Sequence, residues 1–138
     1  MTKNGLMAAA VIGAVCIAVT SVWLAASNAN YKSRLACVSP VDGTTCAVGY
    51  ATLGGMAVGS AIACNADRPT IDLASRGVSK AIDMWAISKA DAANAAGAYT
   101  EACAEGAAMM IRGGATAGDD MCSRAVDGLS HVEAWSGL

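Results

Sequence analysis

Phenylalanine is absent from this chain, proline occurs twice and histidine once. With aromatics at 4%, the apolar 55% is made almost wholly of Ala, Val, Ile, Leu and Met, interspersed with 15 Gly. That palette suits closely packed helices, because small side chains let helix axes approach each other. Two prolines, and few β-branched runs after the first thirty residues, argue against a β-rich fold.

The single His131 removes most metal and acid–base constellations. Structural zinc takes four Cys or His ligands, usually in close pairs, and the chain has no CxxC and no HxxxH. His131 and Glu133 are two residues apart and would leave a helix on different faces, so His131 reads as a surface histidine. No GxxxxGK[ST], no GxGxxG after a strand and no GxSxG is present. The adjacent carboxylates Asp119 and Asp120 stand where a helix N-terminus needs an acceptor and a negative charge, so capping is their expected role. The seven Met, Met109-Met110 among them, fill gaps between small residues. No catalytic site, metal or cofactor is expected, and the chain reads as a protein that is not an enzyme.

Clustered positive charge is lacking too. Residues 1–30 carry only Lys3, while the part from Thr70 onward holds nine acids and five bases. A phosphate backbone needs grouped Lys and Arg, so nucleic acid is not an expected partner.

The first feature present is an uncharged run, Gly5–Ser27 (GLMAAAVIGAVCIAVTSVWLAAS), with Trp23 near its end where an interfacial aromatic belongs. As a helix it would extend roughly 34 Å, enough for a bilayer core. Three readings compete. Lys3 with a small-x-small site at Ser27-Asn28-Ala29 fits a cleaved secretory signal. Lys3 on one flank, with Lys32 and Arg34 on the other, fits a signal anchor of undecided orientation. Lys3-Asn4-Gly5 ahead of an apolar run resembles a prepilin leader in outline. That resemblance implies a filament-forming N-terminal helix, but Ala10 stands where the family carries Glu. Cys16 lies mid-run and reads as a small hydrophobe; Val15 before it excludes a lipobox.

The rest divides into residues 29–46, a loop with a Pro40-Val41-Asp42-Gly43 turn; residues 47–64, a Gly-rich apolar helix; and residues 65–138, an acidic α-helical domain. The stretch Ala47–Ala63 carries Gly55-x-x-x-Gly59, a spacing that makes a flat strip for close helix contact. A core helix and a second membrane span are equally open for it. Beyond a break at residues 65–70, capped by Asp67 or Thr70, the residues Ile71, Ala74, Val78, Ile82 and Trp85 make one apolar helix face. Either one helix from about Thr70 to Arg112, or two joined near Ala90, fits the Ala-rich stretch beyond Trp85. Gly113-Gly114 ends that element, and a last helix from Asp119 or Asp120 carries the stripe Met121, Cys122, Ala125, Leu129, Val132 and Trp135.

Six cysteines exceed cytosolic habit and imply disulfides outside the cytoplasm. Cys103 lies ten residues before Gly113 and Cys122 eight after Gly114. About a Gly-Gly bend of an antiparallel hairpin they would stand roughly 15 and 12 Å from the turn, so a Cys103–Cys122 staple is expected. Cys46 and Cys64 bracket a helix about 27 Å long and cannot pair with each other. Cys37 is left to reach Cys46 across the turn, or Cys64.

The sequence therefore predicts an all-α protein. Its parts are a hydrophobic N-terminal helix of transmembrane type (residues 1–28), a Gly-rich second helix and a C-terminal disulfide-stapled helical hairpin or bundle. The expected function is that of a structural subunit of a helical assembly, a pilin-like filament or an envelope or virion membrane-associated array, with its C-terminal domain outside the cytoplasm. Its expected partners are copies of itself, other membrane-protein subunits and membrane lipid. The alternatives are an accessory single-span subunit of a larger membrane complex and a secreted helical binding domain.

Overall fold

The computed structural model describes residues 37–39 and 42–137. The expectations for the run Gly5–Ser27, for Cys16 and for Pro40-Val41 lie outside the described residues. What is described is all-α: helices α1 (Cys46–Ala63), α2 (Arg68–Trp85), α3 (Lys89–Arg112) and α4 (Asp120–Glu133), then a short 3-10 turn, Ala134–Gly137. The described residues contain no strand; a single isolated bridge joins Val38 to Thr45.

Each helix begins at a side chain that accepts a backbone N–H left over from the first turn. Thr45 serves Val48, Asp67 serves Thr70, Ser88 serves Asp91 and Asp119 serves Cys122. Pro69 stands in the first turn of α2, where its missing N–H costs nothing. Two helices end in the same way. Asn65 (φ 59°) follows α1, with Ala66 N–H on the Ala61 carbonyl and Asn65 N–H on Ile62. Gly114 (φ 71°) follows α3, with Ala115 N–H on Met110 and Gly114 N–H on Ile111. Both are Schellman closures, which need a residue at positive φ just past the helix.

The chain from 68 to 112 makes two helices. Ser88-x-x-Asp91 interrupts it: Ser88 caps α3, and Asp91 Oδ2 accepts the Ile87 N–H at 2.9 Å. It is a variant of the capping box, in which the carboxylate three residues past the cap takes the N–H of Ile87, the residue before the cap, rather than that of Ser88 itself.

α1 lies at the centre and packs against α2, α3 and α4. α2 runs antiparallel to it, since Gly54 of α1 abuts Val78 of α2 while Tyr50 stacks on Trp85. α4 returns the same way as α2, with Gly77 against the Val132 backbone. α3 runs parallel to α1: Thr45 meets Asp91 near one end and Ser60 meets the Gly106 carbonyl toward the other. One core results, from Ala47, Ala51 and Val58 of α1 through Val78, Ile82 and Tyr99 to Leu129 and Val132. α1 is the one described helix long and apolar enough to cross a membrane. Its small residues Ala47, Ala51, Gly54, Gly55, Gly59 and Ala61 are buried.

The expected hairpin about Gly113-Gly114 is not formed. α4 turns away from α3 and packs on α1 and α2. Of the stripe expected on α4, Cys122, Leu129 and Val132 are buried, but Met121 is exposed.

Candidate functional site

α1 and α3 approach each other closely along their parallel seam. A Cβ on Gly55 would stand 2.6 Å from the Tyr99 carbonyl oxygen, and one on Gly59 would overlap the Cys103 carbonyl. From the other side, a Cβ on Gly106 would overlap the Met56 carbonyl. Gly55 and Gly59 therefore meet a helix of their own chain, and this strip is occupied within the domain. The Gly106 contribution is absent from the GxxxG pattern; its signal is a glycine retained inside an Ala-rich helix that has no turn there.

The seam is pinned at its N-terminal end by a buried polar pair. Thr45 Oγ1 donates to Asp91 Oδ1 at 2.7 Å, and the second carboxylate oxygen takes the Ile87 N–H. Asp91 is thus buried with both oxygens engaged, which burial of a carboxylate requires. Below it, Tyr99 is fully buried, and its hydroxyl shares a 3.2 Å hydrogen bond with Ser75 of α2. Burial pushes the phenol up to about 12, against a smaller opposing effect of the Ser75 bond.

Two disulfides are described. Cys37 joins Cys46 with a Cα–Cα distance of 5.5 Å, across a loop closed by Ser39 N–H on Thr44 O and Cys46 N–H on Cys37 O. Gly43 (φ 72°) makes the turn, and Asp42 accepts the Thr44 N–H. Cys64 joins Cys122 with a Cα–Cα distance of 5.3 Å, tying the end of α1 to the first turn of α4. The expected Cys103–Cys122 bridge is corrected on this point. Cys103 faces the α1 seam, whereas Cys122 is carried by α4 to the end of α1. Cys103 is disulfide-bonded as well.

Beside Cys64–Cys122 lies a shallow cleft of about 260 Å3, lined also by Gly118, Ser123, Val126 and Asp127. It offers one carboxylate and one hydroxyl. At the other end of the bundle Tyr50 stacks on Trp85 at 6.4 Å and meets Trp135 edge-on at 4.9 Å. Trp85 Nε1 is buried there with no hydrogen-bond partner. No group of three or more His, Cys, Asp or Glu able to hold a metal occurs among the described residues. His131 is exposed on α4. Asp119 and Asp67 keep their carboxyls below the usual range. Backbone N–H bonds from Thr116 and Cys122 hold Asp119 down; the Thr70 hydroxyl, then its N–H, holds Asp67. These acids cap helices.

No family model, no curated protein and no solved structure matches this chain.

Proposed function

We propose that this chain is a structural subunit of an extracytoplasmic helical assembly, without catalytic activity of its own. One observation carries the reading: all five described cysteines are in disulfides. Bridges of this density persist in oxidising compartments and are rare in the cytosol. The domain is held by a backbone-to-backbone seam and covalent ties, features that serve a rigid building block. Contacts with neighbours fall to the exposed apolar residues Leu53, Met109, Ile111 and Met121, because Gly55 and Gly59 are engaged inside the chain. The apolar run Gly5–Ser27 belongs either in a membrane or in a packed helical core. Partners are copies of the chain or other envelope subunits.

Electron microscopy of native material, with mass photometry of the purified chain, tests this. Polymers or fixed stoichiometric complexes are expected. A monodisperse monomer with reduced cysteines overturns the reading.

A further inference from the structure

The cleft beside Cys64–Cys122 holds about 260 Å3. Pockets for whole small molecules run to roughly 300–1,000 Å3, so this one is sized for a single side chain. We propose that its occupant is Lys80 of a second copy of this chain. The lysine stem lies against Val126 and the Cys64–Cys122 bridge, and its ammonium meets the carboxylate of Asp127. Such a contact is one of those that hold the assembly proposed above, and it rests on that reading.

The cleft has the chemistry of a lysine slot. Its floor is apolar: Cys64 and Cys122 are buried, and Val126 packs against them. Its rim carries one charge, that of Asp127, exposed on α4. The two ion pairs among the described residues, Arg68–Asp72 and Arg124–Asp120, leave Asp127 out. An apolar floor with a single carboxylate at its wet edge suits a long aliphatic stem that ends in a positive charge.

The complementary surface is the outer face of α2. Leu73, Arg76 and Lys80 are exposed there and, at 100° per residue, fall within about 60° of one another. Neither Arg76 nor Lys80 enters an ion pair among the described residues. One face therefore presents two uncompensated cations beside a large apolar side chain, opposite to the buried face that carries Val78.

Within one copy the two surfaces do not meet. α2 and α4 run the same way, with Gly77 against the Val132 backbone. Lys80 lies three residues beyond Gly77 and Asp127 five before Val132. The offset of eight residues is about 12 Å along the axes, and no ion pair joins them. A second copy displaced along the helices brings Lys80 level with Asp127. Opposite charge favours that pairing over α2 against α2, which would set cations against cations.

The test uses the full-length chain as wild type and as the variants Lys80→Glu and Asp127→Lys. Both positions are exposed on helices, and circular dichroism with thermal melting checks that each variant folds. Sedimentation velocity should show the wild type associated. Each variant alone sets like charges in the contact and should associate about tenfold more weakly. Mixing the two variants puts opposite charges back in register, so complexes should return. Carbodiimide coupling of wild-type copies, some of them 15N-labelled, should join Gly77–Lys89 of one copy to Ala125–Leu138 of another through Lys80 and Asp127. Single variants that associate like the wild type overturn the proposal. So does a mixture that stays apart, or coupling of Asp127 to a different lysine. Any of these with an associating wild type defeats this contact alone. A wild type that stays monomeric removes the assembly reading with it.

Discussion

Gly59 and Gly97 are both interior helix glycines, and their surroundings set opposite expectations. A Cβ at Gly59 overlaps the Cys103 carbonyl, whereas one at Gly97 meets nothing within 4 Å. The obstacle at Gly59 is backbone of a packed helix and cannot rotate away. Gly59→Ala is expected to destabilise the domain by about 2 kcal/mol or more, against a helix-propensity gain of about 1. Gly97→Ala should raise stability by roughly 0.5–1 kcal/mol, since it relieves only the backbone entropy of glycine. Urea unfolding of the two variants checks both signs. Equal destabilisation would mean that the seam is not where glycine is required. Trp85 gives a third residue-scale case. Its Nε1 is buried without a partner, so Trp85→Phe removes an unsatisfied donor and should cost far less than the roughly 3–5 kcal/mol of a Trp→Ala truncation.

At the scale of elements, the start of α3 is the most heavily determined point. Asp91→Ala would strip acceptors from the Thr45 hydroxyl and the Ile87 N–H at one stroke. A loss of about 2–3 kcal/mol is expected, against about 1 for Ser88→Ala, which removes a cap alone. Acid should act through Asp119 and Asp67. Their folded pKa values lie below the usual 3.8, so the stability they contribute is present above that value. It is lost as pH falls through the folded pKa. Asp119→Asn, which can still cap, should flatten the acid limb of the stability curve below about pH 4. Tyr99, raised from 10.0 to about 12, has the reverse sign: its contribution is full below pH 10 and falls as pH rises toward 12.

Most element boundaries were legible because they rest on local chemistry: the break within residues 65–70 with a cap at Asp67 or Thr70, the stop at Gly113-Gly114, and a cap at Asp119 or Asp120; Asp67 and Asp119 are the residues that serve. The break at residues 86–88 was less so. An Ala-rich continuation hides it, and only Ser88-x-x-Asp91 marks it. What the one-dimensional pattern did not contain was which helices are neighbours. Equal distances of Cys103 and Cys122 from a Gly-Gly bend imply a bridge only if α3 and α4 pack as a hairpin, and α4 packs instead on α1 and α2. The strip Gly55/Gly59 was visible as a packing surface, but its partner, the Tyr99–Cys103 stretch of α3 in the same chain, was not.

For the whole molecule, the two described disulfides differ mainly in the loop each closes. Cys37–Cys46 spans 9 residues and holds a local turn that already has its own hydrogen bonds. Cys64–Cys122 spans 58 residues and ties the end of the central helix to the last one. In the chain-entropy model the shorter loop is worth about 2.5 kcal/mol and the longer about 4. The paired replacement Cys64→Ser/Cys122→Ser should therefore lower the thermal midpoint more than Cys37→Ser/Cys46→Ser. At a few degrees per kcal/mol for a domain of this size, the expected loss is more than about 10 °C. It should also free α4 first, because Leu129 and Val132 are its principal buried anchors once Cys122 is released. Hydrogen exchange would then show amides 122–133 opening ahead of those in α1 and α3, whose glycine seam is untouched by the change. Uniform opening of the four described helices would instead make the domain one cooperative unit in which the bridge protects no element in particular.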